Sequence, residues 1–100
     1  MAADPLAACR ANLARLFPNS LQAVRALGAR CGDGRPAEAL LDALCDKVVN
    51  RDRLACGPSD DLRAIFDARI RADFAQGRTR RIDGWVLSET EVRLYAVLAG

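Results

Sequence analysis

The chain has 100 residues, of which 51% are apolar and 28% are charged, and its net charge is +2. These values are typical of one folded domain, and they exclude a disordered chain or one drawn to nucleic acid or anionic lipid by its overall charge. The sequence contains no histidine, which excludes imidazole metal sites and Ser–His or Cys–His catalytic relays within the chain.

Two helices are predicted in the first third of the chain. Asp4 and Pro5 suit the N-cap and first position of the first helix, and Pro18 ends it. Ser20 suits the N-cap of the second helix, which ends at the Gly-Asp-Gly run of residues 32–34. Apolar residues recur at helical spacing in both segments: Leu6, Cys9, Leu13, Leu16 and Phe17, then Leu21, Val24, Leu27 and Cys31.

Two further helices are predicted in the middle of the chain. The third begins at Pro36 and is closed by residues 50–53. The fourth is capped by Ser59 and ends at Gly77, and the spacing of Arg69 and Asp73 predicts an ion pair on its exposed side. The predicted apolar faces are Leu40, Leu41, Leu44, Cys45 and Val48 in the third helix, and Leu62, Ile65, Phe66, Ile70 and Phe74 in the fourth.

The periodicity changes between residues 80 and 87. Asp83-Gly84 lies between apolar residues, which predicts a turn or a short two-stranded segment. Ser88 and Glu91 have the spacing of a capping box, which predicts a last helix. The predicted fold is therefore all-α: one domain over residues 1–100, a small bundle of about five helices with a short extended or hairpin segment at 80–87 before the last.

The four cysteines are Cys9, Cys31, Cys45 and Cys56, and no CxxC pair occurs among them. Neither a zinc site nor a thioredoxin-like motif is predicted, and no metal or cofactor is expected. Cys45 lies within an apolar helical pattern, which predicts a buried thiol. Cys31 and Cys56 lie beside glycines at segment ends, where a disulfide, if the protein is exported, and a free thiol both stay open.

No apolar run approaches the roughly 18 residues needed to span a membrane. The first ten residues lack the basic region and hydrophobic segment of a signal peptide. We therefore expect neither a membrane span nor a signal peptide within this sequence.

The last quarter of the chain contains the only Trp and the only Tyr, next to a dense basic cluster. Two interpretations are open. In the first, both aromatic rings pack over the helices as part of the core. In the second, the region binds a partner, because Trp and Arg are common anchors of protein interfaces. The candidate partner-binding residues are Arg78, Arg80, Arg81, Asp83, Trp85 and Tyr95.

Residues 84–100 resemble the entry of the winged-helix effector domains of response regulators, in which a strand leads into the first helix. Leu87, Glu91, Leu94 and Leu98 match the pattern LTxxExxLLxxLA. This resemblance implies a small regulator that binds nucleic acid as a homodimer. The basic cluster at residues 78–81 would then contact phosphates.

The last 30 residues also resemble the C-termini of small, poorly characterised proteobacterial proteins, often preceded by a twin-arginine export signal. The shared pattern is DFAxGRTxxxDGWxLSxTExxLxAL. The matching residues are Asp73, Phe74, Ala75, Gly77, Arg78, Thr79, Asp83, Gly84, Trp85, Leu87, Ser88, Thr90, Glu91 and Leu94. The resemblance implies an exported accessory protein that works beside an enzyme or an assembly, and it favours the periplasm over the cytoplasm.

Candidates for catalysis are few. The acidic residues at 60–61 and 89–91 are explained by the N-termini of two helices, which attract carboxylates. Cys56 is a candidate reactive thiol, because Arg51 and Arg53 lie close to it in sequence. We therefore predict a protein that is not an enzyme but an accessory or protein-binding module. The alternative is the small nucleic-acid-binding regulator.

Overall fold

A computed structural model describes residues 5–32 and 34–99. Within them the chain forms six helices and a two-stranded antiparallel hairpin, which confirms the mostly helical fold with a hairpin before the last helix. The predicted N-cap Asp4, and Asp33 in the predicted break, lie outside the described residues. The elements are α1 (Pro5–Ala14), α2 (Leu21–Gly28), α3 (Ala37–Leu44), α4 (Arg51–Cys56), α5 (Ser59–Ala75), β1 (Thr79–Ile82), β2 (Trp85–Ser88) and α6 (Glu89–Ala99).

Helix α6 lies at the centre of the fold. It contacts α1, α2, α3, α5 and both strands. A helix surrounded in this way must be apolar on several faces. The buried residues of α6 are Thr90, Val92, Leu94, Ala96, Val97 and Leu98.

Helices α2 and α6 approach each other closely, and a glycine makes this possible. A Cβ atom built on Gly28 would lie 1.9 Å from the backbone oxygen of Tyr95 and 2.9 Å from the Cβ of Ala99. Real Cβ atoms do not approach a carbonyl oxygen this closely, so only glycine allows α2 to pack at this distance. Gly28 therefore fixes the spacing of the two helices.

Helices α1 and α4 pack together through apolar residues and one buried amide. The side chain of Asn12 donates hydrogen bonds to the backbone oxygens of Leu54 (2.8 Å) and Gly57 (3.0 Å). Carbonyl groups at the end of a helix lack partners within it, and Asn12 supplies one from another element. The sequence offered no signal for this role, since Asn12 lies in the middle of α1.

The prediction for the third helix was wrong at its C-terminal end. Helix α3 ends at Leu44, and Val48, predicted on its apolar face, is 60% exposed. Residues 50–53 do not close this helix but begin α4, where the Asn50 side chain accepts a hydrogen bond from the backbone N–H of Arg53. Asn is a favoured N-cap, so the signal for a sixth helix was present in the sequence.

The predicted faces of the fourth helix were partly wrong. Helix α5 buries Leu62 and Phe66 as predicted, but Phe74 is 47% exposed. Asp73, predicted on the exposed side in a pair with Arg69, is instead 5% exposed. The reason is the hairpin that follows α5, because it brings polar partners for Asp73 from Arg78 and from the start of α6.

The helix ends differ in how well the sequence predicted them. Ser20 makes no capping hydrogen bond, and Pro58 rather than Ser59 occupies the N-cap position of α5. The capping box is confirmed: the Ser88 hydroxyl accepts from the backbone N–H of Glu91, and a Glu91 carboxylate oxygen accepts from the N–H of Ser88, both at 3.0 Å. Among the described residues, no helix is both long enough and apolar enough to cross a membrane.

Candidate functional site

The hairpin of β1 and β2 turns at Asp83-Gly84. Ile82 pairs with Trp85 across the two-residue turn, in which Asp83 has φ 50° and Gly84 has φ 83°. Two successive residues with positive φ are characteristic of a type I′ turn, which Asp-Gly favours because its twist matches that of the strands. The turn predicted from the sequence is confirmed.

The pairing of the strands sets which side chains share a face. Residues directly opposite each other, and residues two apart, lie on the same face. Ile82 and Trp85 therefore share one face with Leu87, which is 6% exposed and anchors the hairpin in the core. Arg81 and Val86 are paired on the other face, and Val86 is 50% exposed.

Trp85 lies at the outer end of the hairpin and is 62% exposed. This excludes the interpretation in which its ring forms part of the core. We name the exposed residues of this outer end the hairpin tip; they are Arg81, Asp83, Trp85 and Val86. The sequence predicted three of these as partner-binding residues and did not include Val86.

Ion pairs hold the hairpin against two helices. At the tip, an Asp83 carboxylate oxygen lies 2.7 Å from the Nε of Arg30, just beyond α2. At the base, the Nε of Arg80 lies 2.8 Å from a carboxylate oxygen of Glu89 in α6. The Arg30–Asp83 pair is exposed, so we expect it to contribute less than about 1 kcal/mol to stability while restraining the direction of the hairpin.

The strongest anchor is the buried carboxylate of Asp73 at the C-terminal end of α5. One of its oxygens accepts from Arg78 at 3.0 Å. The other accepts from the Thr90 hydroxyl (2.7 Å) and the Thr90 backbone N–H (2.8 Å). Burial acts to raise the pKa of Asp73, but the hydrogen bonds from Thr90 and Arg78 outweigh it and hold the pKa below its ordinary value. Asp73 thus ties α5, the hairpin and α6 together as a charged carboxylate.

Tyr95, also predicted as a partner-binding residue, contacts residues outside the hairpin tip. Its ring packs edge-on against Phe17 with centroids 5.8 Å apart, and its hydroxyl donates to Glu91 at 3.1 Å. Burial and the neighbouring Glu91 carboxylate raise the pKa of Tyr95 well above its ordinary value. The half-buried ring is therefore part of the packing between α6 and the segment after α1.

The other predicted residues lie at the base of the hairpin. Arg78 is paired with Asp73 and Gln76, and Arg80 with Glu89. The six predicted partner-binding residues therefore lie in three places. Arg81, Asp83 and Trp85 are at the hairpin tip, Arg78 and Arg80 are at the base of the hairpin, and Tyr95 is separate from both.

None of the four cysteines forms a disulfide with another in the structure. Cys31 is buried, and its thiol donates to the backbone oxygen of Leu27 at 3.3 Å. Cys56 is exposed, as expected for a reactive thiol. The nearby guanidinium groups serve other partners, however: Arg51 pairs with acidic residues of α3, and Arg53 donates to a backbone oxygen.

The two remaining thiols are those of Cys9, which is buried, and Cys45, which is only partly buried although the sequence predicts a buried thiol. Burial, with a smaller effect from Cys45, raises the pKa of Cys9. Burial and the neighbouring Asp42 raise the pKa of Cys45. Both thiols are thereby kept in the protonated, unreactive form.

A polar cavity that the sequence did not predict lies where α3, α5 and α6 meet the base of the hairpin. Its volume is about 320 Å³. Its walls include three arginines, Arg69, Arg78 and Arg93, together with the carboxylates of Asp46 and Asp73. The arginines come from three separate segments, so nothing in their spacing indicates a cluster. Within residues 5–32 and 34–99, no group of three or more acidic or cysteine side chains is arranged to hold a metal ion.

No protein-family model, curated protein or solved structure matches this chain.

Two parts of the surface have chemistry suited to binding. The hairpin tip has a largely exposed indole on one face and an exposed arginine, Arg81, on the other, and so offers both apolar area and positive charge. The cavity offers guanidinium groups in a recess. Near the hairpin, the acidic side chains of Asp73 and Glu89 are already engaged by arginines.

Proposed function

We propose that the protein is a non-catalytic accessory module that binds another protein through the hairpin tip. The observation that carries the proposal is the exposure of Trp85, 62%, on a hairpin held to the helices by ion pairs. A large aromatic side chain left in water is costly, and Trp is among the commonest anchors of protein interfaces. Because the hairpin is already restrained, little conformational entropy would be lost on binding.

The energy available at Trp85 is adequate for an interface anchor. A Trp side chain buries about 150 to 250 Å² when fully enclosed, and burial of apolar surface contributes about 25 cal/mol per Å². Enclosing the part that is now exposed would contribute about 3 kcal/mol, which is within the range of an interface hot spot. The expected partner presents an apolar recess for the indole.

Charge on the hairpin tip indicates what surrounds that recess. Asp83 is already paired with Arg30, whereas Arg81 extends from the opposite face beside Val86. A carboxylate on the partner would meet Arg81 in the bidentate geometry that guanidinium groups favour. The resemblance of the last 30 residues to exported proteobacterial proteins supports an enzyme or assembly of the periplasm as the partner.

The test compares two exposed aromatic residues. The chain is used to capture proteins from cells of its source, as wild type, Trp85→Ala and Phe74→Ala. Phe74 is the matched control, because it is a 47% exposed aromatic on α5 and lies outside the hairpin tip. We expect one specific protein to be lost with Trp85→Ala and retained with Phe74→Ala. Equal capture by all three proteins would refute the proposal.

Two further measurements separate the alternatives. Circular dichroism should show that Trp85→Ala stays folded; if it unfolds, the role of Trp85 is structural and the proposal fails. Salt-dependent retention of the wild type on duplex DNA, weakened by Arg81→Gln, would favour the nucleic-acid-binding regulator instead. Sedimentation that shows a dimer in the wild type and a monomer in Trp85→Ala would identify the partner as a second copy of this chain.

A further inference from the structure

The cavity of about 320 Å³ between α3, α5, α6 and the base of the hairpin is a second site whose chemistry differs from that of the hairpin tip. Its volume lies at the lower end of the range for small-molecule sites, which is roughly 300 to 1,000 Å³. It is independent of the proposed function, because Trp85, Val86 and Arg81 do not line it.

Two of its arginines are held in fixed orientations by the fold. Arg69 donates to the backbone oxygen of Leu44 at 3.0 Å, pairs with Asp46, and lies 5.6 Å from the centre of the Phe66 ring. Arg78 is fixed by the buried carboxylate of Asp73, described above. Guanidinium groups that are held in place lose little freedom when they bind an anion.

The two carboxylates in the cavity wall are already engaged. Asp46 accepts from the backbone N–H groups of Val48 and Val49 at 2.8 and 2.9 Å, and its other oxygen is paired with Arg69. These backbone hydrogen bonds, with Arg69, hold the pKa of Asp46 below its ordinary value. Asp46 and Asp73 thus offset the charges of Arg69 and Arg78.

The third arginine provides the excess positive charge. Arg93 is exposed, and in the part of the chain that the structure describes no carboxylate or carbonyl oxygen is within hydrogen-bonding or ion-pair distance of its guanidinium. It lines this cavity and also a smaller recess of about 120 Å³ beside Cys31 and Arg35. A cavity with two neutralised arginines and one uncompensated arginine has a net positive charge.

We propose that this cavity binds a small oxyanion, a carboxylate or phosphate group, with Arg93 as its principal contact. The planar guanidinium fork matches both groups. Arg69 and Arg78 supply further N–H donors at the walls. A nucleic-acid backbone suits the cavity less well, because Asp46 and Asp73 would lie close to successive phosphates.

The test uses inorganic phosphate and succinate as probes, added at constant ionic strength with sodium chloride as the balance. Backbone amide chemical shifts of the labelled protein report where each anion binds. We expect saturable shifts at residues that line the cavity, with Thr90, Asp46 and Arg93 among them. Phosphate alone, succinate alone, or both producing such shifts would identify the ligand as a phosphate, a carboxylate, or any oxyanion, respectively.

Two variants of equal charge decide whether the site is specific. Arg93→Gln should weaken the binding of the effective probe about tenfold, since a hydrogen bond to a charged group is lost. Arg25→Gln removes the same charge from an exposed position on α2 and should change the affinity by less than about twofold. The amide spectrum of each variant verifies that it is folded. Shifts that do not saturate with either probe, or equal weakening by both variants, would overturn the proposal.

Discussion

The carboxylate of Asp73 allows the most direct test of how the fold is held together. In Asp73→Ala, the Thr90 hydroxyl and backbone N–H lose their acceptor, and so does Arg78. A hydrogen bond to a buried charged group contributes about 1.5 to 3 kcal/mol. Arg78 is half exposed, so its pair with Asp73 is discounted for solvent screening. We expect the free energy of unfolding to fall by about 3 kcal/mol.

The assay is urea denaturation followed by circular dichroism at neutral pH. Asp67→Ala is the matched control, because it removes an exposed carboxylate from the same helix and should change stability by less than about 0.5 kcal/mol. If Asp73→Ala costs under about 1 kcal/mol, or no more than Asp67→Ala, then Asp73 does not anchor the hairpin and α6 as the structure indicates.

The pH dependence of the same pair of proteins gives an independent check. The pKa of Asp73 in the folded protein is lower than in the unfolded chain, where it is about 3.9. The stability it contributes is therefore complete above about pH 4 and is lost as the pH falls towards the folded-state pKa. The difference between wild type and Asp73→Ala should narrow over this range. A difference that stays constant with pH would contradict a charged role for Asp73.

Two further predictions concern α6. Gly28→Ala should destabilise the protein by about 2 kcal/mol, because overpacking against Tyr95 outweighs the gain of about 1 kcal/mol in helix propensity. Gly32→Ala is the control, because a Cβ there would make only an ordinary contact, 3.9 Å from Leu40. A more stable Gly28→Ala protein in urea denaturation would contradict the packing. Tyr95 should remain un-ionised at pH values where free tyrosine ionises, about pH 10, and stability should fall as the pH rises above that value. Ultraviolet absorbance measures the ionisation, and Glu91→Gln should bring it to lower pH; ionisation of the folded wild type near pH 10 would contradict the burial of the hydroxyl.

Local sequence patterns predicted the hairpin and the start of α6 correctly. Asp83-Gly84 requires only its own backbone preferences to form the turn, and Ser88 and Glu91 satisfy each other within one turn of helix. Such signals can be read from a few adjacent residues. The N-cap Asn50 is an equally local signal, but the polar run of residues 50–53 fits the end of one helix as well as the start of the next.

The buried position of Asp73 could not be read locally. Its spacing from Arg69 favours an exposed ion pair, but its actual partner Thr90 lies 17 residues away in another helix. Phe74 is the opposite case. Its spacing along α5 predicts a core residue, but its side chain is exposed because no other element covers it. In both cases tertiary packing, and not the apolar periodicity of the helix, determines whether the side chain is buried.

The candidate sites were predictable to different degrees. Trp85 and the basic residues near it stood out because they are concentrated in one stretch, although the sequence left open whether Trp85 is buried. The arginine cavity gave no such signal, because Arg69, Arg78 and Arg93 converge only once α5, the hairpin and α6 are packed. A site assembled from separate segments is visible only in three dimensions.

The central position of α6 has a consequence for how the chain folds. Because α1, α2, α3 and α5 all pack against it, those helices have no completed core while residues 89–99 are absent. During synthesis the earlier helices would hold exposed apolar faces until this segment leaves the ribosome. The core contacts also join residues far apart in sequence, as between α2 and α6, so we expect slower folding than in bundles whose neighbouring helices pack in chain order. We therefore expect the chain to be more prone to aggregation before α6 is made than after it.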